Sequence, residues 1–156
     1  VKGRIDGMTW ALLYARWILG LLFLMAGFYK VFVLGVGEHA RRFFVEGYGD
    51  TWIPLWLLWA VGMAIPFIEL VAGGFLCLGF RVRGACLAIG TILLVVTFGH
   101  LIKEPFFSVA DQIMPRLMLL IFILAVPQER DQSSLDVLLL KRRGDGEAEP
   151  PPPPTA

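Results

Sequence analysis

Four stretches of the chain are apolar enough and long enough to cross a bilayer, which takes about 20 residues. They cover residues 9–36, 54–80, 84–102 and 107–126, with short polar segments between them. Positions three and four apart share a helix face, and on that spacing the first three stretches each gather small and polar residues into one stripe. In the second the stripe is Gly62, Pro66, Glu69, Gly73 and Cys77; in the first, Arg16, Gly20, Phe23, Gly27 and Lys30; in the third, Cys86, Gly90, Leu93, Thr97 and His100. Small residues let helix backbones approach closely, and a carboxylate turned to lipid is costly. These stripes therefore predict the inward faces of an all-α integral membrane four-helix bundle with antiparallel neighbours.

The segments between the spans are read by their own chemistry. Residues 37–53 are polar and aromatic, with His39, Arg41, Arg42, Phe43, Phe44, Glu46 and Asp50, and are expected to form a loop or a short interfacial helix with His39 in solvent. Trp10, Tyr14 and Trp17, and again Trp52, Trp56 and Trp59, have the placing of interfacial aromatic belts. Arg81 and Arg83 make a short basic turn. Pro105 ends the third span, because the residue before a proline is pushed out of helical geometry. After Pro127, SSLDVLLLKRR reads as a Ser-capped interfacial helix within 131–143. The acidic, proline-rich residues 144–156 read as a disordered tail, which leaves 1–130 as the membrane domain.

Composition agrees: 57% of residues are hydrophobic, 17% are charged, and mean hydropathy is +0.71. A net charge of +1 without a basic patch gives no sign of a nucleic-acid partner. Lys2, Arg4, Arg81, Arg83, Arg130 and Lys141–Arg143 fall on one side of the spans, and Arg41, Arg42 and Lys103 on the other. The positive-inside rule then predicts a multi-pass protein of a cell membrane, of the bacterial inner-membrane kind, with both termini cytoplasmic. Cys77 and Cys86 lack redox spacing and read as buried thiols. The glycine-rich phosphate loop, the HExxH zinc motif and the nucleophile elbow are all missing from the sequence.

Candidate chemistry rests on the intramembrane polar residues. Counted from the cytoplasmic ends, Arg16 lies roughly 10 Å deep and Glu69 roughly 16 Å deep, so the two are expected to form a buried structural ion pair that fixes helix register. The alternative is a carboxylate linked to a proton or quinone path. A second cluster is expected from Lys30, His100 and either Asp111 or Arg116. There His100, Lys30 and Arg116 are candidate contacts to a quinone or a lipid. His100 has three readings: a helix-to-helix bond, a ligand contact such as a quinone carbonyl, or ligation of a pigment or metal. No catalytic residue, resident metal or intrinsic cofactor is expected, and quinone is the candidate cofactor.

RWILGLLFLMAGFYKVF (Arg16, Gly20, Gly27, Lys30) and IELVAGGFLCLGFRVRGA (Glu69, Gly73, Gly74, Gly79, Arg83), in that order and with the later spans, resemble the DoxX-like family of small four-helix membrane proteins over residues 10–127. The resemblance implies an accessory subunit of a membrane redox or electron-transfer complex, packed against other integral membrane subunits and lipid, shaping a quinone site and without catalysis of its own. Two alternatives stand beside it: a quinone-reducing subunit of an oxidoreductase, and a membrane chaperone or assembly factor.

Overall fold

The computed structural model describes residues 6–104, 111, 113–127, 134–136 and 139. It is an all-α membrane bundle in which, among the described residues, there is no strand. Helix α1 (Gly7–Phe28) continues without a break into a π-helical stretch, Tyr29–Leu34, and stops at Gly35, whose φ of 87° a side chain would resist. A small hairpin of helix follows: α2 (Val36–Ala40), a π-helical turn Arg41–Val45, and α3 (Glu46–Tyr48). Then come the long helices α4 (Leu55–Leu78) and α5 (Val82–Lys103), and the shorter α6 (Met114–Ala125) with Pro115 in its first turn.

Three of these are long and apolar enough to cross a membrane: Gly7–Leu34, Leu55–Leu78 and Val82–Lys103. The expected fourth span, 107–126, is represented by α6, whose 12 residues rise only about 18 Å. Residues 105–110 and 112, just before it, lie outside the described ones. So do the expected interfacial helix at 131–143, apart from 134–136 and 139, and the whole tail at 144–156.

The α1–α4 contact is the tightest in the molecule, and glycine makes it so. A methyl group placed on Gly20 would fall 2.8 Å from Cys77 Sγ and 3.0 Å from Gly73 O. One on Gly27 would fall 2.8 Å from both Leu70 Cα and Pro66 O. Backbone therefore lies against backbone, the approach that small-residue stripes permit. The stripes expected on α1 and α4 are largely the buried ones: Arg16, Gly20, Phe23 and Gly27 on α1, and Gly62, Pro66, Glu69 and Gly73 on α4. On α5 the buried face is instead apolar, with Val82, Ala85, Cys86, Ile89, Ile92 and Leu93, while Thr97 and His100 are only partly covered. That helix packs with side chains rather than with backbone, so its core follows volume and not smallness.

The α4–α5 turn is built from local signals. Gly79 takes the left-handed conformation with φ 69°, and Phe80 N–H donates to Phe75 O at 2.9 Å, closing the last turn of α4. Asp136 returns from the C-terminal segment to accept from Arg81 N at 3.0 Å and Val82 N at 3.2 Å. Its carboxylate thereby satisfies two of the donors that a helix start leaves open.

Candidate functional site: a polar cleft between membrane helices

Glu69 lies one turn past Pro66 on the buried face of α4, and its partner is Lys30. Lys30 Nζ donates to Oε1 at 2.8 Å and to Oε2 at 2.6 Å. The expected Arg16–Glu69 pair is replaced by this one, and helix register explains why. Gly20 meets Gly73 and Cys77, and Gly27 meets Pro66 and Leu70. That antiparallel register puts Arg16 level with the end of α4, about 15 Å along the axis from Glu69, and puts Lys30 only about one turn away. Arg16 is buried at 2% exposure, and its guanidinium lies against Gly79, whose hypothetical Cβ would meet Nη1 at 2.9 Å. Depths counted from the span ends failed because α1 starts well beyond the point where α4 stops.

Lys30 sits at the start of the π-helical stretch. Wide turns of this kind re-aim the side chains they carry and are frequent at functional sites. With Glu69, Lys30 lines a cleft of about 200 Å³ between α1, α4, α5 and α6, together with His100, Arg116 and apolar residues that include Phe23 and Val96. Three side chains expected to meet, Lys30, His100 and Arg116, are thus brought together, and Glu69 joins them. Asp111 is exposed and outside the lining. Arg116 is close enough to Glu69 for their charges to interact, so among the described lining residues two cations stand near this carboxylate. The His100 ring bonds Val96 O through Nδ1 at 2.8 Å. Because a carbonyl only accepts, Nδ1 carries the proton there, and in the neutral ring the acceptor lone pair is on Nε2.

A second, larger void of about 1040 Å³ adjoins the cleft and shares Lys30, Val96 and His100 with it. Its walls are α4 and α5, and its roof is the 36–53 hairpin. The roof is tied to α5 by Lys103 Nζ to Asp50 Oδ1 at 2.8 Å, and by Tyr48 lying over Gly99. To α4 it is tied by His39. Sequence reasoning left His39 in solvent, but it is 4% exposed, lies against Phe43 and Phe44, and bonds Gly62 O through Nδ1 at 2.9 Å.

The signal for this was present in Pro66. A proline inside a helix has no N–H for the carbonyl four residues back, which here is Gly62, and a buried carbonyl needs a donor. Gly62 has no side chain to block approach, so the hairpin closes on it and supplies the imidazole. Burial lowers the His39 pKa from its ordinary 6.5, and the Lys30 charge lowers it further, against the raising effect of the Gly62 bond. On the outer side of the hairpin, Glu38 takes Arg41 and Arg42, which hold its carboxyl down at about 2. Asp136, at the start of α5, is the other residue missed. Its position more than 50 residues away in sequence leaves no local pattern to read.

The family model that matches this chain is that of methylamine utilisation protein MauE, over residues 8–104, well over half of the sequence. The chain belongs to the MauE family. The matched residues take in α1, the roof, α4 and α5, and with them Lys30, Glu69 and His100; Arg116 lies beyond them. This overturns the DoxX-like resemblance, since no DoxX family model matches. The residues that carried it, small-residue stripes around one carboxylate and a basic turn, are what close helix packing in a membrane requires of many small bundles. They specify packing rather than ancestry. No curated protein and no solved structure matches the chain. Among the described residues, no group of three or more His, Cys, Asp or Glu is placed to hold a metal ion.

Proposed function

We propose that this protein is a membrane-embedded accessory subunit of a redox system of the methylamine-utilisation kind for which its family is named, packing beside other integral membrane subunits and without catalysis of its own. The observation that carries the reading is the membership itself, together with an interior carboxylate, Glu69, that is paired with Lys30. Lys30 and Glu69 neutralise each other inside the bundle, which stabilises a fixed scaffold, because a paired buried charge is tolerated where a lone one is not. The large outward residues of α1, among them Leu21, Met25, Phe28 and Phe32, supply a surface for lipid and for partner helices. The finer parts of the proposal are a four-span membrane domain at 1–130 with an interfacial segment after it, cytoplasmic termini in a bacterial inner membrane, and a quinone or lipid contact at Lys30, His100 and Arg116.

Mild-detergent purification of the tagged protein from its native membrane, with identification of what accompanies it, tests the proposal. Integral membrane redox subunits in fixed stoichiometry are the expected result. A changing, substoichiometric set of clients would move the reading to an assembly factor. Recovery as a lone chain, with no loss of any redox subunit on deletion of the gene, would overturn both.

A further inference from the structure

We infer that the polar cleft and the roofed groove together form one binding site for a membrane-dissolved amphiphile of the quinone class, with the carbonyl-bearing ring in the cleft and the apolar tail along the groove. This rests on the proposed ligand contact at Lys30, His100 and Arg116; it chooses the quinone over the lipid and adds an orientation and a route of entry.

Continuity comes first. The two voids share Lys30, Val96 and His100 in their walls, so a molecule occupying both would pass these three side chains. Their combined size exceeds the roughly 300–1,000 Å³ of common small-molecule pockets, as a ring with a long chain requires. Polarity is sorted in the same sense. The cleft gathers donors in Lys30 and Arg116 and an acceptor in Glu69, with the His100 imidazole beside them. The groove beyond is walled by Leu57, Val61, Ile65, Leu94 and Phe98. Donors suit the carbonyls of the oxidised ring, and acceptors suit the hydroxyls of the reduced one. Leu94 and Phe98 are 73% and 56% exposed, so the groove opens sideways, where a tail dissolved in lipid would enter.

The arrangement disfavours a phospholipid. Its headgroup would sit at the rim, where Lys103 is engaged with Asp50 and Arg42 with Glu38. Its chain ends would then be driven against the Lys30–Glu69 pair. The second contact is unfavourable, because an acyl chain offers nothing to a polar cluster.

The test uses the full chain in lipid nanodiscs and reads quenching of tryptophan fluorescence by a decyl-tailed benzoquinone, with Trp52 in the groove lining as the local reporter. Decylbenzene, which has the same tail and no oxygens, is the competitor. Saturable quenching that decylbenzene displaces at least tenfold less well than a non-quenching quinone analogue is expected. Val96→Phe, at the junction of the two voids, should weaken binding at least tenfold with the unfolding midpoint unchanged.

Linear, non-saturable quenching would overturn the inference, as would equal competition by decylbenzene, or a folded Val96→Phe protein that binds normally. Loss of the signal in nanodiscs rich in phosphatidylglycerol would assign the groove to an anionic lipid and also overturn it. If Val96→Phe fails to fold, the decylbenzene comparison on the unaltered chain decides. Quinone binding by a chain that recovers no partner would keep this inference and remove the accessory-subunit reading; partners without quinone binding would do the reverse.

Discussion

Helix α4 has two neighbours of opposite character. Towards α1 it presents Gly73 to Gly20 and Leu24, and Pro66 and Leu70 to Gly27, and the backbones meet with no room for a methyl group. Towards α5 it presents Leu57, Val61 and Ile65, and there, beneath the hairpin that closes on Gly62, a groove of about 1040 Å³ remains. Small residues close one side and bulky residues hold the other apart. In a membrane, where lipid is as apolar as the side chains, contact is driven by fit rather than by exclusion of water, so a poorly fitted side stays open. One side of α4 thus fixes the scaffold, and the other leaves space for a ligand. Lys30 and Glu69 sit where the two meet.

That contrast can be broken from either side. The largest effect is expected at the buried pair: Lys30→Met leaves Glu69 without its partner and should cost about 3–5 kcal/mol, whereas Lys30→Met with Glu69→Leu should recover most of it. Chemical unfolding in detergent micelles measures both, and equal loss in the single and double variants would show that the pair holds nothing together.

On the closed side, Gly27→Ala should destabilise by up to about 3 kcal/mol through overpacking. Gly84→Ala, where nothing lies within 4 Å, should be neutral or slightly stabilising in the same assay. Removing the tie between roof and α4 is the next step down. His39→Leu strands the Gly62 carbonyl and should cost about 1–2 kcal/mol. In a Pro66→Ala background, where the new backbone N–H at that position can take over the carbonyl, the cost should largely vanish. Additive effects in this double-variant cycle would disprove the link between the proline and the histidine.

The same histidine gives a pH dependence of definite sign. Its folded pKa is lowered below 6.5, so the unfolded chain binds the extra proton first. Its contribution is fully present above pH 6.5 and is lost as pH falls through the lower folded value. Melting temperatures followed from pH 7 to pH 5 should therefore fall more steeply in the unaltered chain than in His39→Gln. On the open side, Leu94→Ala at the lipid-facing edge of the groove should change stability by no more than about 0.5 kcal/mol. A larger loss in thermal unfolding would mean that the groove wall is part of the core.

Much of this architecture was legible as pattern. The stripes on the first two spans named part of what packs, since period 3.6 and small size are local properties: α1 and α4 each bury four of the five residues named, beside four others, mostly apolar. The meeting of Lys30, His100 and Arg116 was legible too, because the expected antiparallel order of the helices brings all three to one end of the bundle. The reading failed where two segments had to be set against each other. Arg16 was given the partner that belongs to Lys30, because relative register is fixed by which glycine meets which backbone.

The sequence by itself determined the class of the protein: an all-helical membrane bundle, the helix faces turned inward, and one carboxylate that had to find a cation. Only the tertiary structure decided which cation that was, that His39 leaves solvent to serve a carbonyl freed by Pro66, and that Asp136 closes the start of α5. The physical reason is the same in each case. Periodicity and hydropathy are sums over neighbours in the chain, whereas an ion pair, a stranded carbonyl or a helix cap is satisfied by whichever group the packing of distant backbones brings within about 3 Å.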